Sequence, residues 1–164
     1  MFDSSVPVLV HFLKGLSAIL RKAEGHCELK KIEPDAILQA RLFPDMYPLT
    51  RQVQLVTDFA KGIGARLSGI PVPSFADEEK TFAELQARLT KTLDFLNTLK
   101  AAQFTEAAKR AVTIKVAGQD MSFTGSQYLA NFALPNFYFH LTTAYNILRH
   151  NGIELGKMDF MGRA

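Results

Sequence analysis

Apolar residues recur at helical spacing in four stretches of this chain. Val6, Leu9, Leu13, Leu16, Leu20 and Ala23 follow one another at intervals of three or four. That stripe predicts an amphipathic helix over residues 5–24. Ser4 or Ser5 is placed to cap it, Pro7 falls in its first turn, and Gly25 is its expected stop. Leu49, Val53, Val56, Ala60, Ile63 and Leu67 predict a second helix from Pro48 to about Leu67. Phe82, Leu85, Leu89, Leu93, Leu96 and Leu99 predict a third, ending near residue 99. Asp77, Glu78 and Glu79 put negative charge at its expected start, as the helix dipole prefers. Phe137, Leu141, Ala144 and Leu148 predict a last helix over 135–150, with Pro135 in its first turn and Gly152 at its stop.

The segments between these stripes read differently. Residues 28–47 form a connection with one short helical piece after Pro34. A short amphipathic piece is expected at 103–110. In 111–124, Val112, Thr113, Ile114, Val116, Met121 and Phe123 alternate around Gly118-Gln119-Asp120, which predicts a β-hairpin. Such a hairpin is marginal alone and must lie on the helices. The tail, 153–164, has no periodicity, but Ile153, Leu155, Met158, Phe160 and Met161 imply docking on the bundle or on a partner. The expected fold is therefore all-α: a four-helix bundle with a small β-hairpin before the last helix.

Polar positions refine this picture. Gly62 and Gly64 weaken the second helix by roughly 1 kcal/mol each relative to Ala. Close approach to a neighbouring helix is the expected compensation. Asp58 falls opposite the apolar stripe and reads as solvated, as do Glu84, Gln86, Arg88 and Lys91 on the third helix. His11 also lies away from its stripe, and His26-Cys27 is read as a helix end rather than a metal site. His140 is the histidine that periodicity brings close to a buried face, one turn from Asn136 and Ala144.

Composition changes little. The 164 residues are read as one domain, 1–164, with 48% hydrophobic and 21% charged residues, ordinary for a globular protein. No apolar run reaches the roughly 18 residues needed to span a bilayer, and no signal peptide is read, so no membrane association is expected. The single cysteine, Cys27, fits a cytoplasmic location. A net charge of +3, scattered along the chain, is not the footprint of a nucleic-acid protein. Nothing matches a nucleotide-binding loop, a Ser-His-Asp set in order or a carboxylate cluster.

Several separated segments carry a resemblance. HLTTAYNILRHNGIELG, with Leu148-Arg149-His150-Asn151-Gly152, is similar to the last helix and exit of the DinB/YfiT-like superfamily, where a leucine–arginine–x–x–glycine pattern recurs. The order of helices resembles that superfamily over nearly the whole chain. The hairpin, PDMYPLTRQVQL and NFALPNFYFHLTTAY resemble one branch of it whose function is unknown. Metal-binding members use three histidines, one from the second helix and two from the last. By that resemblance His140 matches one ligand position. The other on its helix falls at Asn136 or Phe137, and the second helix holds no histidine, only the inward-leaning Gln52, Gln54 and Thr57. An amide is a poor ligand for zinc or nickel. His11, His26 and His150 do not fall at matching positions.

Three functions follow as expectations. The first is a metal-free bundle binding a small molecule in a cleft near His140, with Asn136, Gln52 and Tyr145 as further cleft candidates. The second is a divalent-metal-dependent transferase or hydrolase of the DinB-like type, with zinc or nickel as cofactor. The third is a structural homodimer without catalysis. Dimerisation is expected beside any of them, because the apolar content of the last helix and tail exceeds one stripe.

Overall fold

The computed structural model describes residues 1–163; Ala164, the last residue of the expected tail and domain, lies outside the described residues. Four long helices form the body: α1 (Val6–Lys30), α3 (Leu49–Ser68), α4 (Phe82–Thr98) and α6 (Leu134–His150). The short α2 (Pro34–Leu38) lies between the first two. The α3 helix packs most extensively on α6 and also on α4, which in turn packs on α1. The stripes read from the sequence face one shared core, in which Leu13, Val56, Leu85 and Phe137 are completely buried. A helical bundle with a hairpin before its last long helix is the fold of this chain. No helix among the described residues is long and apolar enough to cross a membrane.

Several boundaries differ from the expected ones. The first helix does not stop at Gly25 but runs to Lys30, with Lys31 in the left-handed region as its cap. Cys27, only 2% exposed, continues the stripe one turn beyond Ala23, and its burial offsets the glycine's weak propensity. Neither serine caps α1 through its side chain: Ser5 Oγ turns back and donates to the Met1 carbonyl at 2.8 Å. The α4 helix starts later than its acidic run. Thr81 caps it, accepting from Glu84 N–H at 3.1 Å while Glu84 accepts from Thr81 N–H at 2.9 Å. That is a capping box, so Glu84 has a structural task rather than a plain solvated one. The piece expected at 103–110 is a short 3₁₀ turn, Ala101–Phe104, followed by irregular turns.

The hairpin pairs β1 (Ala111–Val116) with β2 (Gln119–Thr124) in antiparallel register, Val112 opposite Phe123. Its turn is Ala117-Gly118, both at positive φ (48° and 83°), rather than Gly118-Gln119-Asp120. A two-residue turn of this hand matches the strand twist, so Gln119 and Asp120 are free to pair with Val116 and Lys115. Val112 and Ile114 face inward onto the bundle. After β2 the chain turns directly into α5 (Gly125–Gln127), a π-helical turn (Tyr128–Ala133) and then α6. The last helical stretch thus begins ten residues before Pro135, and the wide turn stands where proline supplies no N–H. The tail docks on its own bundle. Its short α7 (Lys157–Phe160) lies on α1, with Phe160 against Phe12 and Tyr145, and Asp159 paired with Lys22. His11, expected to be solvated, is exposed yet hydrogen-bonds the Met161 carbonyl through Nε2 at 2.8 Å.

The largest departure is Arg88. Its place on the polar side of α4 marks it as solvated, yet it is 3% exposed. The irregular segment before α4 lies over that face and covers it. Arg88 Nε donates to Thr57 Oγ1 at 2.6 Å, Nη1 to the Ala76 carbonyl at 2.8 Å and to Glu79 at 3.0 Å. Nη2 reaches Asp58 at 2.8 Å and Asp77 at 2.9 Å. Phe75 lies under the cations of Arg88, Lys61 and Lys91. Asp58 is thus an ion-pair partner of Arg88 and Lys61, and Gln86 bonds α1 through the Ser17 carbonyl at 2.9 Å.

Two outcomes are expected from urea unfolding followed by circular dichroism. Arg88→Met should lower stability by about 2–4 kcal/mol, below the full cost of breaking a buried pair because Asp58 and Asp77 keep solvent access. Gly64→Ala should cost about 1–3 kcal/mol, because its Cβ would stand 2.8 Å from Leu96 of α4 and from Leu99 just after that helix.

Candidate functional site

His140 sits on α6 facing α3. Its Nδ1 lies 2.8 Å from Gln52 Oε1. Gln52 is buried, and its amide is committed at both ends: Nε2 donates to the Tyr47 carbonyl at 3.1 Å. That bond makes Oε1 the atom turned to His140. An amide oxygen only accepts, so Nδ1 carries the hydrogen and Nε2 holds the lone pair. No buried side-chain nitrogen or oxygen among the described residues lacks a partner. His140 Nε2 has no partner among the described residues, so it is open to solvent.

The ring is held between aromatics. Phe59, two turns after Gln52 on the same helix, stacks on it with centroids 5.6 Å apart and planes 19° from parallel. Phe139, exposed, meets it edge-on at 5.2 Å. Burial, and after it the positive charge of Arg51, holds the imidazole below its ordinary pKa. A neutral ring is what this environment stabilises. Arg51 in turn donates to Gln54 at 3.1 Å and to Asp77 at 2.5 Å.

The structure brings together two of the four residues expected at the cleft. Gln52 and His140 meet directly. Asn136 lies one turn before His140, but its amide donates to the Phe132 carbonyl at 2.7 Å, inside the π-helical turn. Tyr145 is on another side of α6, against Phe160 of the tail. Gln54 and Thr57, also expected to lean inward, are buried but belong to the Arg88 network, through Glu79 and Arg88 respectively. Periodicity alone did not single out Phe59 or Arg51. The seven-residue interval from Gln52 to Phe59, two helical turns, was the available signal for the first. His140 lines none of the four cavities described, of about 700, 330, 220 and 200 Å³. The 220 Å³ one is lined by Phe59, which stacks on His140, and by Phe132, which packs on Phe59.

A three-ligand metal centre of the superfamily type does not fit these residues. Among the described residues no group of three His, Cys, Asp or Glu side chains is placed to hold a metal ion. At His140 the remaining donors are two amides already engaged with Tyr47, His140 and Phe132. Amides cannot supply the anionic or imidazole set that zinc or nickel takes.

The tautomer and its pH response are measurable. Long-range ¹H–¹⁵N spectra should show His140 as the Nδ1–H tautomer at neutral pH. Because its folded pKa lies below the unfolded value near 6.5, the unfolded chain takes up the proton first. The His140 contribution to stability should therefore be complete above that value and decline as pH falls through it. In His140→Phe that part of the pH dependence should vanish from the unfolding midpoints.

Comparison with known proteins bears on the whole chain. Residues 1–161 match the family model DUF1993, a domain of unknown function. A DinB family member from Shewanella denitrificans, known from its crystal structure, is 42% identical over 98% of this chain and 90% of its own, with a TM-score of 0.90. No curated protein matches the sequence. A likeness of this extent leaves the fold of the two proteins the same, and the chain belongs to the DUF1993 family of DinB-like proteins.

Proposed function

We propose that this protein binds a small organic molecule at His140 without a metal, with His140 Nε2 as the accepting atom. One observation carries the reading: Gln52 pins the hydrogen on Nδ1 and leaves the Nε2 lone pair of a neutral ring without a donor among the described residues. A neutral imidazole with a free lone pair accepts a hydrogen bond or takes a proton. The ligand group that suits it is a donor, a hydroxyl, thiol or amine. The exposed Phe139 beside the ring offers a face to an apolar body on the same molecule. The metal-dependent transferase or hydrolase reading would need donors beyond His140, and the amides nearby are already bonded.

A thermal-shift screen of small hydroxyl, thiol and amine compounds tests the reading. Compounds that raise the melting temperature of the wild type should lose that effect in His140→Phe, with the unliganded variant still folded by circular dichroism. Equal shifts in both proteins would sink the proposal. Elemental analysis of untagged protein, after incubation with zinc, nickel, iron or manganese and gel filtration, should give substoichiometric metal. Near-stoichiometric metal that disappears in His140→Ala would restore the metalloenzyme reading.

A further inference from the structure

A second constellation lies at the start of the last helical stretch. The cavity of about 220 Å³ sits between α3, β1 and the π-helical turn. Phe59 and Phe132 wall it, Arg66 and Tyr128 line it, and the exposed Lys115 stands at its rim. At this volume it is smaller than a site for a drug-sized molecule.

Arg66 is held there by two devices. Its Nη1 donates to Tyr128 Oη at 3.2 Å, and the guanidinium lies over the Tyr128 ring at 5.7 Å. It also folds back over Gly62, where a Cβ would stand 2.4 Å from Nη1. This glycine was expected to serve helix packing, as Gly64 does against α4. Its actual neighbour is the guanidinium. Arg66 has no carboxylate partner among the described residues, whereas Arg88 has three. Tyr128 is 1% exposed, and its hydroxyl accepts from Arg66 while its own hydrogen has no acceptor among the described residues. Burial pushes this phenol up, against the opposing effect of Arg66, so it keeps that hydrogen. Asp58 also lines the cavity, but its Oδ1 is engaged by Lys61 and Arg88. The balance of unpaired groups is cationic and donating, over aromatic walls.

We propose that this cavity is a binding site for a small carboxylate with a flat apolar body, such as an aromatic acid, held by Arg66 and the Tyr128 hydroxyl. The carboxylate takes guanidinium N–H groups on one side and the phenol hydrogen on the other. The apolar body lies against Phe59 and Phe132. Lys115 adds long-range attraction at the rim. This site uses neither His140 nor Gln52 and does not depend on the reading given for them.

Benzoate is the probe, titrated into the full-length protein and followed by ¹H–¹⁵N NMR, with benzamide as its uncharged isostere. Saturable shifts are expected at the Arg66 Nε–H group and at the amides of Phe59, Tyr128 and Phe132, with benzamide much weaker. Tyr128→Phe, which removes only the hydroxyl, should weaken benzoate roughly tenfold, and Arg66→Gln roughly a hundredfold. Gly62→Ala should also weaken it, by displacing the guanidinium while helical circular dichroism persists. If Arg66→Gln or Gly62→Ala fails to fold, Tyr128→Phe decides alone. No saturation below about 10 mM, equal binding of benzamide, or undiminished binding in Tyr128→Phe overturns the proposal. Shifts confined to His140 and Gln52 overturn it as well, while leaving the reading at His140 intact.

Discussion

The guanidinium of Arg88 is buried at 3% exposure, and each of its five N–H groups has an oxygen to meet. A charge so placed is stable only when fully paired. Its acceptors come from two places, Thr57 and Asp58 on α3, and Ala76, Asp77 and Glu79 on the segment leading into α4. Satisfying all five therefore sets how α4 lies on α3 and where the irregular segment crosses them. The reach of this network extends further. Asp77 takes Arg88 with one oxygen and Arg51 with the other, and Glu79 takes Gln54. Arg51 is the cation that helps keep His140 neutral. A salt-bridge hub on one side of α3 thus shapes the electrostatics of the histidine on the other helix.

The α3 helix is the common element. Within five turns it presents Gln52 and Phe59 to His140, Thr57 and Asp58 to Arg88, and Arg66 to Tyr128. The group that α3 presents to the His140 Nδ1 atom is an amide, Gln52. That choice of side chain has a definite chemical consequence. An amide fixed by the Tyr47 carbonyl cannot ligate a cation while it also accepts from His140, but it can set a tautomer. The pair then leaves an imidazole whose Nε2 lone pair has no donor among the described residues.

Much of this was legible in the residues. Spacings of three and four located all four long helices, since burial of one stripe is their main source of stability. His140 and Gln52 were legible because each sits at the edge of such a stripe. Asn136 and Tyr145 were misplaced for different reasons. Asn136 shares a face with His140, but the π-helical turn before it turns its amide to the Phe132 carbonyl. Tyr145 is five residues on, about 140° round the helix, and so faces the tail. Arg88 was misread because a helical wheel reports distance from its own stripe and not what another segment lays over the opposite side.

By itself the sequence determined the bundle, the hairpin and the position of the one histidine at a buried face, because these follow from local periodicity and from backbone preferences of single residues. Tertiary structure decided which polar groups face each other. It turned Arg88 from a surface residue into a hub, set the Gln52–His140 pair in its one tautomer, and left Arg66 beside Tyr128 without a carboxylate partner among the described residues. The physical reason is that a hydrogen bond depends on distances of a few tenths of an ångström between atoms far apart in the chain. No pattern along the sequence encodes such distances until the helices have packed.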